Sequence, residues 1–456
     1  MEGNWQQWLT DHREENLEEL KELLKIPSIS ALSQHQKDIR QAAEWLKAAL
    51  VRAGLENVQI METGGHPVVY GDWLHAPGKP TLLIYGHYDV QPVDPLDLWE
   101  TPPFEPHIRH DRIYARGASD DKGQTFMHIK VVEALLKSRG SLPLNVKFCI
   151  EGEEEIGSPN LDPFVEKNKE LLAADVLLIS DTSMLDNGQP ALCLGLRGLC
   201  GLEIIVQGPK RDLHSGMYGG GVQNPIHALV ELLASMRDEK GRITVEGFYD
   251  RVKPPSPQEV ESYRRIPFDE QELLKELDVP QLFGEEGYTY LERTWLRPTL
   301  EINGIYGGFQ GEGIKTVLPS QAGAKITCRL VPDQDPEEIV ALILKHIEKH
   351  QPKGVKVTTR LFDKGRPFVM SADHPAIRAA EKALEKAFDQ PVAMVRMGGS
   401  IPIVETFHRI LQLPVVLMGF GLSSDNIHAP NENFRLENFD KGLEAIGHYW
   451  FELAKL

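Results

Sequence analysis

Three apolar runs in the first part of the chain read as buried β-strands, and each of them stops at an acid or a histidine. "TLLIYG" leads into "HYDVQP", "LNVKFCI" into "EGEEEIGS" and "DVLLIS" into "DTSM". Short continuous apolar runs bounded by polar turns mark strands covered on both faces. Alternating with helical segments, such strands build a mostly parallel sheet with helices on both sides. The reactive crevice of such a sheet lies beyond the carboxyl ends of its strands. A lone histidine or glutamate after a strand is ordinarily structural, since acids favour helix starts. Three charged strand ends at one sheet edge are a different matter, because they concentrate chemistry in one place.

The helices between the strands are legible by their spacing. Glu15 to Ile26, Asp38 to Ala53 and Lys122 to Lys137 carry apolar residues at helical intervals, and "HPVVYGDW" adds a further strand. From about Leu194 the texture changes to "GLEIIVQG", a helix at Pro225 to Met236, a polar proline-containing stretch through "KPPSPQEV", and strands "TLEING", "AGAKITCRLV" and "GVKVTTRLF" around a helix at Pro336 to His350. After Pro367 the alternating pattern returns, with helices near Pro375 to Phe388 and Ile403 to Phe407, the strand "PVVLMG" and a last helix from Asn438 to Leu453. The expected architecture is an α/β domain, residues 1–193 and 367–456, interrupted by an inserted α+β domain over residues 194–366.

Bulk properties exclude several functions. With 456 residues and a formal charge of −18, the composition argues against nucleic acid or an anionic membrane as the main partner, since both need a basic face. The segment "MEGNWQQWLTDHREENLEELKELLKI" has acids where a signal peptide needs a basic flank and an apolar centre, and no run is long enough to span a membrane. Cys149, Cys193, Cys200 and Cys328 are scattered, without the paired spacing of a thiolate zinc site, and read as reduced core residues. A cytoplasmic protein is expected.

The polar loops converge on a cation site. His87 and Asp89 are two apart, so on an extended segment they share a side, and Asp89 can orient the imidazole toward a metal. In "ARGASDDKGQ", Ser119 can cap the following helix with Asp120 and Asp121 in its first turn, but beside His87 and the glutamates Asp120 becomes a candidate bridging ligand. A second histidine, His428, follows "PVVLMG" in the polar loop "GFGLSSDNIHAPNENF". Crowded carboxylates raise one another's pKa unless divalent cations neutralise them. A mixed histidine and carboxylate set suits zinc, manganese or cobalt better than calcium. Two such ions bridged by one carboxylate and one water hold a hydroxide near neutral pH and polarise a carbonyl, which is hydrolase chemistry. Spacing alone does not choose among Glu151, Glu153, Glu154 and Glu155.

Taken in order, "GHYDVQP", "ARGASDDKG", "EGEEEIGS", the aspartate after "VLLIS", "DLHSG", "RMGGSIP" and "NIHAPNE" resemble the motifs of the dinuclear zinc peptidases that include cytosolic non-specific dipeptidase, carnosinase, glutamate carboxypeptidase and acetylornithine deacetylase. The dipeptidase and carnosinase branch is the most similar. The resemblance implies two divalent ions, zinc foremost with manganese or cobalt as alternatives, held by His87, Asp181, Glu155 and His428 and bridged by Asp120. It implies Glu154 as general base, Asp89 as the residue orienting His87, and Glu151 and Glu153 as supporting or solvated side chains. In the inserted lid domain it implies His214 reaching a partner subunit's site to stabilise an oxyanion, Arg329 clamping the substrate carboxylate, and Thr316 and Ser400 as further substrate contacts. The implied partners are a small peptide substrate and a second copy bound through the lid.

One position departs from the branch, in which glutamate commonly precedes the paired glycines. Met397 stands there, which favours substrates with a blocked or differently placed amine. The alternatives are an N-acyl amino acid deacylase or carbamoyl amidohydrolase of the same fold, and a non-catalytic metal- or peptide-binding protein, which would have lost a base or ligand. No G-x-S-x-G elbow is present, which disfavours a serine hydrolase. The glycine-rich "GGFQGEG" leads into "IKTVLPS" rather than a helix and lacks the lysine-serine ending of a phosphate loop, so it reads as a lid turn near substrate.

Overall fold

The computed structural model describes residues 4–255, 257–399 and 401–456. The chain divides into two compact units, one of Met1–Leu194, Met370–Val395 and Pro402–Leu456, the other of Gly195–Val369 and Arg396–Ile401.

The first unit is built on a mixed sheet in the order Glu56–Met61, Val68–Trp73, Asn145–Glu151, Thr81–His87, Val176–Ile179, Val415–Leu417 and Ala191–Leu196. Asn145–Glu151, Thr81–His87, Val176–Ile179 and Val415–Leu417 are mutually parallel and fill its middle, with antiparallel strands on either side. The middle strands are the continuous apolar runs, because both of their faces are covered. Residues His87 and Glu151 are register partners, so the first two charged strand ends lie side by side.

Helix Lys122–Arg139 is buried without a break from Lys122 to Val132. It packs against Thr81–His87 and against helices Trp5–Asp11, Gln36–Ala53 and Leu436–Leu453, which explains why it is not amphipathic. Each fully buried large apolar side chain in it, such as Phe126, contributes ~1.5–3 kcal/mol. Gly140, in the left-handed region at φ 71°, ends the helix. At the other end the Lys122 ammonium is buried and donates to the carbonyls of Ile26 at 2.7 Å and Leu23 at 3.3 Å. The first long helix runs Arg13–Leu24, two residues earlier than its apolar spacing indicates, and its carboxyl end is fastened to the Lys122 ammonium.

The second unit is an antiparallel sheet in the order Thr299–Gly307, Gln321–Leu330, Gly198–Gln207, Lys356–Gly365. Alternate residues Cys200, Leu202, Ile204 and Val206 meet helices Pro225–Ala234 and Pro336–His350 in one apolar cluster. Both helices begin with proline after a capping side chain: Asn224 accepts from Ile226 N at 2.9 Å and Asp335 from Glu337 N at 2.9 Å. The polar stretch between residues 257 and 295 contains three short helices, Pro257–Arg264, Glu270–Glu276 and Tyr290–Trp295. The last two bury no residue, so they have no apolar stripe to read.

Candidate metal centre

Strand Thr81–His87 delivers His87 into a fully buried position, and Asp89 follows it on the same side. The His87 Nδ1 edge faces Asp89, 3.3 Å from Oδ1 and 3.1 Å from the main-chain oxygen, while Nε2 faces Asp120 Oδ1 at 3.0 Å and Asp181 Oδ2 at 3.9 Å. The other oxygen of Asp120 lies 2.9 Å from His428 Nε2, which is also 3.2 Å from Glu155 Oε2. Two groups of possible ligand atoms result, His87, Asp120 and Asp181 in one and Asp120, Glu155 and His428 in the other, each within 4.8 Å of one another.

These spacings fit divalent cations. Atoms ~2.0–2.2 Å from a common centre at tetrahedral angles lie roughly 3.3–3.6 Å apart, close to the separations observed. Asp120 offers a separate oxygen to each group, as a bridging carboxylate must. The charge balance points the same way, since Asp89, Asp120, Glu154, Glu155 and Asp181 crowd two imidazoles. Burial and then the neighbouring carboxylates, partly opposed by His87, push the carboxyls of Asp181 and Glu154 up, Glu154 to about 7. Asp120, despite its burial, is held low by its hydrogen bonds to His428 and His87. Asp120 and Glu155, together with a smaller opposing effect of burial, raise His428 to about 10. A carboxylate-rich pocket of this kind is relieved by positive charge.

Glu154 and Glu155 are placed by one acceptor. Asp89 Oδ1 accepts the main-chain N–H of Glu154 at 3.2 Å and Asp89 Oδ2 that of Glu155 at 3.1 Å. Gln91 Nε2 donates to Glu155 Oε2 at 2.8 Å. Glu151 and Glu153, expected as supporting or solvated residues, are buried and hydrogen-bonded. Glu151 accepts from the hydroxyls of Tyr85 and Ser158, and Glu153 from His66 N and the Asn160 amide.

Two further carboxylates, absent from the sequence reading, hold the Asp120 loop. Glu432 accepts from the N–H groups of Gly117, Ser119 and Asp120, each at 3.1 Å, and from Arg116 Nη1 at 2.6 Å. Asp425 Oδ2 accepts from Ser119 Oγ at 2.9 Å, so Ser119 does not serve as a simple helix cap. Both acids sit in the loop that carries His428, where a glutamate beside a candidate ligand was the available signal. Asp121 follows a cis peptide bond, accepts from Thr125 Oγ1 at 2.7 Å, and is raised to about 7 chiefly by burial.

His214, Thr316 and Arg329 lie in the second unit. His214 and Thr316 come together on a two-stranded ribbon, Leu213–His214 with Val317–Leu318, where Ser215 N donates to Thr316 O at 3.0 Å and both side chains are exposed. Arg329 lies apart from that ribbon in strand Gln321–Leu330, opposite Thr299. Ser400 falls outside the described residues.

A family model described as Peptidase family M20/M25/M40 matches residues 83–452. The Cys-Gly metallodipeptidase of Candida albicans is 33% identical over 454 residues, covering 95% of this chain and 93% of that relative. The Beta-Ala-His dipeptidase of Homo sapiens is 33% identical over 395 residues, covering 86% of this chain and 78% of the relative. Among solved structures, the M20 family metallo-carboxypeptidase Sso-CP2 from Sulfolobus solfataricus superposes with a TM-score of 0.85 at 34% identity, covering 97% of this chain and 100% of that one.

Proposed function

This chain belongs to peptidase family M20/M25/M40, and from that premise we propose that it is a metal-dependent dipeptidase that hydrolyses the amide bond of dipeptides or short peptides with a free carboxylate. The observation that carries the reading is the division of Asp120 between two ligand groups, one oxygen toward His87 and Asp181, the other toward Glu155 and His428. These five residues are proposed to hold two divalent cations, zinc foremost with manganese or cobalt as alternatives. When bound, such ions supply an activated water and polarise the scissile carbonyl.

The chain's own residues supply the proton transfers and the positioning. Glu154 takes a proton from the attacking water and delivers it to the leaving amine, a task suited to a carboxyl raised to about 7. Asp89 fixes the His87 imidazole and, through two N–H groups, the backbone that carries Glu154 and Glu155. His214 stabilises the oxyanion of the tetrahedral intermediate from a second copy of the chain, Arg329 clamps the substrate carboxylate, and Thr316 and Ser400 add contacts. Homodimer formation through the inserted unit, read as a lid, is supported by the edge strand Thr299–Gly307, where Ile302, Ile305 and Tyr306 are exposed.

Four buried free cysteines suit a reducing compartment and support a cytoplasmic location. No helix among the described residues is long and apolar enough to cross a membrane. The charge of −18 is unsuited to nucleic acid as a partner.

Met397 sustains the second reading, an N-acyl amino acid deacylase or carbamoyl amidohydrolase, because no carboxylate stands there to meet a substrate amine. A rate panel of dipeptides, tripeptides and N-acyl amino acids on chelator-treated protein, reloaded with zinc, manganese or cobalt, separates the two. Dipeptide cleavage that disappears with the metal and returns on reloading is expected. Cleavage confined to N-acyl amino acids moves the assignment to the second reading, and cleavage indifferent to chelation removes both.

A further inference from the structure

The five candidate ligands are not held alike. Asp120 lies between two imidazoles, Glu155 is met by the Gln91 amide, and His87 faces Asp89. Among the described residues no hydrogen bond reaches the Asp181 carboxylate, and His87 Nε2 stands 3.9 Å from its Oδ2. A carboxylate without donors is aimed by the backbone that carries it. That backbone is fastened one residue earlier, where the buried Ser180 Oγ is hydrogen-bonded to His128 Nε2 at 2.8 Å, directly after strand Val176–Ile179.

His128 sits in helix Lys122–Arg139, and its Nδ1 has no partner among the described residues, so the bond to Ser180 is the polar contact the ring makes. Burial lowers the imidazole to about 3, which leaves it neutral. The ring belongs to a set. Asp121, Gln124, Thr125 and His128 fall at i, i+3, i+4 and i+7, on one helix face, and all four are buried. Asp121 Oδ2 accepts from the Thr125 hydroxyl at 2.7 Å and from the His87 N–H at 3.3 Å. Gln124 Oε1 accepts from Phe420 N at 2.7 Å, in the segment that runs from strand Val415–Leu417 to His428. A Cβ on Gly86 would stand 1.9 Å from Thr125 Oγ1, so the helix rests directly on strand Thr81–His87. Three strand ends that lead to candidate ligands are thus gripped by one polar stripe in an otherwise apolar buried helix.

We infer that this stripe is a template for the metal centre, and that His128 is a positioning residue which, through Ser180, holds Asp181 at ligand distance from His87 and Asp120. The inference rests on the reading of His87, Asp120 and Asp181 as one ligand group. Packing alone would be served as well by an apolar side chain, as it is at the buried neighbours Met127 and Ile129. Removing the polar contact at constant bulk therefore separates positioning from packing.

Titration of chelator-treated protein with cobalt, followed by its visible absorption, reads cation binding without turnover. The wild type should take two equivalents. In H128L one equivalent should bind ~10- to 100-fold more weakly, as for other residues that orient ligands, with the other unchanged. S180A removes the partner and leaves the helix intact, so it should match H128L and carries the comparison where H128L does not fold. H128Q, whose amide can donate or accept, should restore wild-type binding. Wild-type cation binding in H128L and S180A, or both equivalents weakened alike, overturns the inference and leaves the metal centre standing. A single equivalent in the wild type, weakened in H128L and restored in H128Q, removes the second cation and keeps the inference. No cobalt bound by the wild type overturns both.

Discussion

The main-chain N–H of Asp120 donates to the buried carboxylate of Glu432 at 3.1 Å, between residues 312 apart in sequence. Four donors converge on that carboxylate, so the loop offering Asp120 is shaped by a residue that is not itself a candidate ligand.

Glu432→Gln should therefore weaken metal binding. Its amide nitrogen presents hydrogens to groups that also donate, which leaves buried N–H groups unmatched. The expected loss of metal affinity is ~10- to 100-fold, as for other residues that orient ligands, with a lowered Tm. Titration of apo-protein with zinc measures it, and an unchanged affinity would detach Glu432 from the site.

Glu154→Gln tests the general base. The variant keeps the ligand set and should bind metal like the wild type, while kcat falls ~10²-fold or more. Metal content by mass spectrometry alongside steady-state rates checks both halves, and retained turnover would sink the role.

Complementation tests whether the active site is shared between copies. His214→Ala and Glu154→Gln should each be nearly inactive, yet a mixture that exchanges subunits should regain part of the activity, because one site of the heterodimer then holds intact versions of both residues. No regain under demonstrated exchange argues against a shared site.

Glu151 makes a prediction in pH. Burial, assisted by the Asp89 and Glu154 carboxylates and partly opposed by hydrogen bonds from Tyr85 and Ser158, raises it to about 8. An unfolded glutamate ionises near ~4.3. Between these values the unfolded chain binds fewer protons than the folded one, so this residue's contribution to stability falls as pH rises across the window. Glu151→Gln keeps an acceptor for both hydroxyls and has no proton to lose. Its Tm relative to wild type should climb from pH 5 to pH 8, and a flat difference would show that Glu151 is ionised in the native protein.

What the sequence disclosed, and what it withheld, divides along physical lines. His87, Asp181 and the Glu151 to Glu155 cluster were visible because they stand at strand ends, where one-dimensional order maps onto one sheet edge. Glu432, Asp425 and the buried state of Glu151 and Glu153 were hidden because each depends on a partner brought close only by tertiary folding. Helices without an apolar stripe, such as Glu270–Glu276, gave no periodic signal at all.

Strand Val176–Ile179 pairs on one side with Val415–Leu417. A ribosome making this protein exposes the first long before the second, because the whole inserted unit lies between them. At ~5–20 residues per second the nascent sheet waits tens of seconds with an open apolar edge. The candidate ligand group of Asp120, Glu155 and His428 is equally unfinished until His428 emerges. Chaperone capture during translation would act in that interval.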